Sequence, residues 1–151
     1  MKLDNIKTAL KNLTSEPMKV KPKEDMKKAI LLDDDSIFCK LLKKDVEDKG
    51  NLQLETTCSV ETFLSMVKLN NYDVCLIDYD LYETTGVDVI HRMREFSNIP
   101  ALLISSSQSV IRVDGSESHF DDFLSKWSDP EEIVEHSLEL CRENGDAIAV
   151  S

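Results

Sequence analysis

Three short stretches of the chain are apolar at every position: Ala29–Leu32, Val74–Ile77 and Ala101–Ile104. Runs this brief, bounded by polar residues, read as β-strands buried on both faces of a sheet. Two other stretches are mixed. Leu52, Leu54, Thr56 and Cys58 alternate with polar residues, and Phe120–Leu124 alternates only weakly. These two are expected at the sheet edges, with the fully apolar strands central. Between the strands the spacing turns helical. Ile37, Phe38, Leu41, Leu42 and Val46 share a helical face that Lys49-Gly50 should end. Phe63, Leu64, Met66 and Val67 predict a short helix, and Val87–Met93 another. Asp129-Pro130-Glu131-Glu132 is a helix start, with Asp as N-cap, Pro at N1 and Glu at N3. That helix is expected to stop at Asn144-Gly145. Gln108–Ser118 sits where one more helix is due. Its serines, β-branched residues and Gly115 disfavour a helix, so a short or irregular one is expected.

Strands alternating with helices imply an α/β fold, a parallel sheet covered on both faces and wound with right-handed crossovers. Ahead of it, Leu3, Ile6, Leu10 and Leu13 form a narrow apolar stripe, followed by the Pro-containing, charged stretch Ser15–Asp25. The chain thus divides into a basic arm with a short amphipathic helix and linker (1–26), one domain (27–143) and a tail (144–151).

Charge sharpens this division. The formal net charge is −11, yet residues 1–28 hold eight lysines against Asp4, Glu16, Glu24 and Asp25, which is +4 and leaves −15 for the rest. So acidic a domain would repel nucleic-acid phosphate, which argues against direct DNA binding. The arm could meet an acidic partner, fold back on its own domain or pair with a second copy. Nothing approaches a membrane span or a secretory signal, so a cytoplasmic location is expected. Cys39, Cys58, Cys75 and Cys141 lack metal-ligand spacing and are expected to be free buried thiols.

The candidate chemistry lies where strands end. Ala29–Leu32 runs into Asp33-Asp34-Asp35, the second strand into Asp78 and the third into Ser105, while Phe120–Leu124 runs into Ser125-Lys126. Two carboxylates about 4 Å apart repel by about 4 kcal/mol at an effective dielectric near 20, so solvent or a cation must offset their approach. In an open parallel sheet, ligands bind beyond the carboxyl ends of the strands. Carboxylates gathered there suit Mg2+, with charge to spare for an anion. Any one of these acids could be a solvated loop residue or a helix cap. Their order along successive strand ends is the informative feature.

From about Lys27 to Arg142 the chain resembles a receiver domain of the two-component response regulator family. The resemblance rests on Ile30-Leu31-Leu32-Asp33-Asp34, on Asp78 followed eight residues later by Gly86, on Ser105, and on Asp121-Asp122-Phe123-Leu124-Ser125-Lys126. It implies a flavodoxin-like (βα)5 fold of strand order 2-1-3-4-5. It also implies a phospho-accepting switch rather than a conventional enzyme. Asp78 would take a phosphoryl group from a histidine kinase or histidine phosphotransfer protein. Asp34, Asp78 and the Asp80 carbonyl would hold Mg2+, with Asp33 acting through water. Lys126 and Ser105 would contact the phosphoryl group, and Ser105 and Phe123 would be the switch residues. Output would pass to a protein partner. Three positions depart from the family. Trp127 replaces a proline that is often cis, Tyr82 replaces another proline, and Ser106 replaces a common alanine. Two alternatives stand beside this reading. One is a non-phosphorylated scaffold, suggested by Trp127 and the 108–118 segment. The other is a small haloacid-dehalogenase-type phosphatase, suggested by the D-x-D of Asp78-Tyr79-Asp80, although the position of that motif in the chain is wrong for the class.

Overall fold

The computed structural model describes residues 26–106 and 120–150. The predicted arm helix and the 108–118 segment lie outside the described residues. The elements are β1 (Lys27–Leu32), α1 (Ser36–Lys49), β2 (Leu52–Thr57), α2 (Val60–Leu69), β3 (Val74–Asp78), α3 (Gly86–Met93), β4 (Ala101–Ser105), β5 (Asp122–Ser125) and α4 (Pro130–Val150). All five strands are parallel, in the order β2-β1-β3-β4-β5. The two mixed strands are the edges and the three apolar ones are central, as their patterns predict.

Alternation along each strand divides the core in two. Ala29, Leu31, Val74, Leu76, Leu102 and Ile104 join Cys39, Leu42 and Val46 of α1 and Ile133 and Val134 of α4. Ile30, Leu32, Cys75, Ile77, Ala101 and Leu103 join Phe63 and Val67 of α2 and Val87, Ile90 and Met93 of α3. Each helix therefore lies over one face of the sheet, and the strand ends are left to the loops.

Local signals set the helix ends. Gly50 takes a left-handed conformation (φ 68°) and closes α1, donating to the Glu47 carbonyl. Ser59 caps α2 and Thr85 caps α3 with their side-chain oxygens. Three expectations are corrected. The helix α4 continues past Asn144-Gly145 to Val150, so the tail assigned to 144–151 is helical through 150. Glycine lowers helix propensity but does not by itself end a helix. The last strand pairs from Asp122 rather than Phe120, because Asp122 registers with Leu102 of β4. Cys58 is exposed, at the turn after the edge strand β2, whereas Cys39, Cys75 and Cys141 are buried.

Candidate functional site

The site begins with the three aspartates after β1, which the fold sends in three directions. The Asp33 side chain is fully buried, at 0% exposure. Asp34 is exposed. Asp35 is the N-cap of α1, its Oδ1 accepting from the N–H groups of Ile37 and Phe38, each at 3.1 Å. The Asp35 N–H in turn donates to Asp33 Oδ1 at 2.9 Å. Of the three acids, each of which could be a helix cap on sequence alone, Asp35 is the one that caps. The signal for it is an Asp directly before an apolar helical pattern.

Asp78 closes β3 at 3% exposure, and Ser105 closes β4 at 1%. The β3–β4 ladder pairs Asp78 with Ile104, and Tyr79 continues it by donating to the Ile104 carbonyl at 2.7 Å. The β4–β5 ladder pairs Ser105 with Ser125, and Lys126 extends it by donating to the Ser105 carbonyl at 2.8 Å. Parallel pairing therefore sets Asp33, Asp78, Ser105 and Lys126 along one rim.

Carboxylate oxygens of Asp33, Asp34 and Asp78 lie within 4.8 Å of one another. Lys126 Nζ stands 3.0 Å from Asp33 Oδ2, 3.7 Å from Asp78 Oδ2 and 4.0 Å from Asp35 Oδ2. Burial, and then the negative charge of Asp33, push the Asp78 carboxyl up to about 7. Burial also raises Asp33, against the opposing influence of the Asp35 N–H and Lys126. For Lys126, burial works against the charge, but the Asp33, Asp78 and Asp35 carboxylates outweigh it and raise the ammonium above its usual range. One lysine is thus shared among three carboxylates, and negative charge remains in excess.

A divalent ion fits this imbalance. Asp33 Oδ2 is buried and receives no aligned hydrogen bond, although Lys126 Nζ lies beside it. A buried carboxylate oxygen left in this state is costly unless a cation compensates it. Three carboxylates together form the all-oxygen set that a hard ion such as Mg2+ takes.

The glycine after the β3 loop is required by space. A Cβ on Gly86 would lie 2.4 Å from the Asp78 carbonyl oxygen and 2.9 Å from Leu103 Cδ1. Its N–H donates to the Tyr79 carbonyl at 2.8 Å, and Asp80 and Thr85 form an antiparallel bridge beside it. The loop between β3 and α3 is thereby folded back against the site. Within this loop the exposed Asp80 carboxylate accepts from Ser106 Oγ at 3.4 Å. Phe123, half-buried in β5, meets Phe120 edge to face with ring centroids 6.3 Å apart. Trp127 is 75% exposed, and none of the described peptide bonds is cis. The loop after Lys126 therefore runs without the proline geometry. An open cleft of about 490 Å3, lined by Asp34, Cys58, Tyr82 and Arg92 among others, adjoins the acidic cluster.

Comparison with known proteins agrees with this geometry. The family model described as response regulator receiver domain matches residues 29–137. A transcriptional regulatory protein, SrrA of Staphylococcus aureus, is 27% identical over 106 residues, which is 70% of this chain and 44% of that protein. The chain thus spans less than half the length of this relative. Among solved structures, the Francisella response regulator 1452 receiver domain is similar with a TM-score of 0.70 at 24% identity, covering 78% of this chain and 98% of that one. The Thermotoga maritima response regulator TrrA, solved in complex with Mg(2+)-BeF, has a TM-score of 0.69 at 23% identity, covering 76% and 99%. These solved structures share the overall flavodoxin-like α/β fold of this chain. With the match running over residues 29–137, more than half of the chain, this chain belongs to the response regulator receiver domain family of two-component signalling.

Proposed function

We propose that the protein is a phosphorylation switch with Asp78 as its acceptor. An Asp78 carboxylate oxygen attacks the phosphorus of a phosphohistidine carried by a histidine kinase or histidine phosphotransfer protein. The P–N bond breaks, its electron pair leaves with the imidazole, and an acyl phosphate remains on Asp78. The observation that carries this reading is the gathering of the Asp33, Asp34 and Asp78 oxygens within 4.8 Å under a single shared ammonium.

Each neighbour has a task. Lys126 supplies a point charge for a phosphoryl oxygen. Ser105, at the end of the adjacent strand, offers a hydroxyl to another. Asp34, Asp78 and the backbone carbonyl of Asp80 would hold Mg2+, with Asp33 acting through water. Bound there, Mg2+ supplies neutralisation of charge between the attacking carboxylate and the phosphoryl oxygens. The acyl phosphate places about −1.5 to −2 of charge at the rim. Ser105 is drawn toward it, and Phe123 turns inward. A protein partner reads that change. Among the described residues no helix is long and apolar enough to cross a membrane.

Incubation with a small acyl-phosphate donor and Mg2+ tests the assignment by intact mass. The expected result is one hydroxylamine-sensitive phosphoryl group, lost with chelator and in Asp78→Asn. Undiminished labelling of Asp78→Asn overturns it.

A further inference from the structure

The ammonium of Lys126 has a neighbour that is not a carboxylate. Its Nζ lies 4.7 Å from the centroid of the Phe38 ring, over the ring face. A lysine side chain loses up to about 2 kcal/mol of rotamer freedom when it is fixed, so something must hold it in place. Asp33 supplies part of that hold, its Oδ1 accepting from Nζ at 3.3 Å, while its Oδ2 receives no aligned hydrogen bond and Asp78 Oδ2 is 3.7 Å away. Phe38 supplies a second hold from another side. It is half-buried on α1 and packs against the apolar cluster between that helix and the sheet. Its backbone N–H is fixed by the cap Asp35, whose own N–H holds Asp33 Oδ1. Asp33, Asp35, Phe38 and Lys126 thus close a ring of contacts, in which the cap that starts α1 also sets the aromatic wall of the site.

We infer that Phe38 is a positioning residue: its ring face holds the Lys126 ammonium in the gap between Asp33 and Asp78, where an incoming phosphoryl oxygen meets it. Cation–π attraction is electrostatic and strengthens as water is excluded, and the Lys126 side chain is only 10% exposed. The ring faces the ammonium without competing for it as a hydrogen-bond acceptor. The lysine donors therefore remain available to the carboxylates and to the phosphoryl group. This inference rests on the phosphoacceptor reading of Asp78.

Three variants test it: Phe38→Tyr keeps a ring face, while Phe38→Leu and Phe38→Met keep apolar bulk without one. The first readout is the proton spectrum of the Lys126 ε-methylene in lysine-labelled protein, where the ring current shifts the signal upfield. The second is the rate of Mg2+-dependent labelling of Asp78. Wild type and Phe38→Tyr are expected to show the upfield signal and equal rates. The Leu and Met variants are expected to lose the shift and to label roughly threefold to thirtyfold more slowly. Labelling at the wild-type rate in a folded Leu or Met variant overturns the inference. So does a loss shared equally by Tyr, Leu and Met that tracks thermal stability. Failure of the wild type to label removes the phosphoacceptor reading instead, while the lysine spectrum still decides whether the ring holds the ammonium.

Discussion

Asp33 and Lys126 stand 93 positions apart in the chain and 3.0 Å apart in the fold, joined at the rim of the sheet with both side chains nearly or fully out of solvent. Removing one member of such a pair costs about 3–5 kcal/mol, because the other charge stays buried without its partner. Lys126→Met is therefore expected to destabilise the protein by about 3 kcal/mol in urea unfolding. Asp33→Asn in the same background should recover most of that loss by removing one of the stranded charges. A loss in the double variant equal to the sum of the two single-variant losses would show that the pair is not coupled.

Repulsion within the same cluster makes a second prediction. With Asp33, Asp34 and Asp78 gathered and, among the described residues, Lys126 as the cation between them, neutralising Asp78, which lies farther from the ammonium than its partner Asp33, relieves the fold. Asp78→Asn is expected to raise the melting temperature measured in chelator while it abolishes labelling, a trade of activity for stability. Added Mg2+ should narrow the gap between wild type and variant, since the ion compensates the wild-type cluster more. A variant less stable than wild type in chelator would refute this account of the site.

Gly86→Ala sets two effects against each other. Alanine is the better helix former by about 1 kcal/mol, and position 86 opens α3. The new Cβ, however, would meet the Asp78 carbonyl at 2.4 Å, and that atom belongs to a buried strand that cannot yield. Overpacking of this kind costs about 1–3 kcal/mol, so the clash wins. Net destabilisation of about 2 kcal/mol is expected in denaturant titration, with slower labelling of the displaced Asp78. A neutral or stabilised variant would mean that the loop closes less tightly than this contact implies.

The strand order was legible because burial leaves a different trace at the centre and at the edge. Ala29–Leu32, Val74–Ile77 and Ala101–Ile104 are apolar on both faces, whereas the Leu52 strand alternates, and the sheet is built accordingly. The acids at the strand ends could be placed on one rim for the same reason, since parallel strands end together. Less could be read where one residue type serves several purposes. Asp35 is chemically identical to Asp33 and Asp34, and apart from its place directly before the helical pattern nothing separates the cap from its two neighbours. Asp121 sits in the segment shared with the family, yet its carboxylate accepts from the Ala101 N–H at 2.8 Å and pairs with Arg94 at 3.2 Å. It ties β5 to β4 away from the acidic cluster. The Phe38–Lys126 contact joins two residues whose spacing carries no periodic signal, so no pattern in the sequence announces it.

The four thiols should respond unequally to an alkylating probe. Cys58 is exposed, while burial pushes Cys39 and Cys75 up to about 12 and Cys141 up to about 11. The thiolate is the nucleophile, so the three buried groups are protected twice, by access and by protonation. One fast modification, mapped to Cys58, is expected in the native protein, and the others only as it unfolds. Fast modification of Cys75 would contradict its place in the core between β3 and α3.

A polar cluster far from the acidic rim makes stability depend on pH. The Tyr72 hydroxyl donates to the Glu55 carboxylate, and Lys28 Nζ lies 3.2 Å from Glu55 Oε1 and 5.2 Å from the Tyr72 ring centroid. The tyrosine hydroxyl foremost, and then Lys28, hold Glu55 below its ordinary 4.5. Burial raises Tyr72, so its hydroxyl stays a donor across the neutral range. The sign follows from linkage: a depressed carboxyl contributes stability above its unfolded pKa and loses it as pH falls through the folded value. Tyr72→Phe keeps the ring under Lys28 and removes only the hydroxyl. Because Glu55 is 39% exposed, solvent screening limits the difference between wild type and variant to about 1 kcal/mol at neutral pH. That difference should hold steady down to about 4.5 and shrink below it as Glu55 takes up its proton in the folded state. A difference that persists undiminished in strong acid would assign the effect to packing of the ring rather than to the charged hydrogen bond.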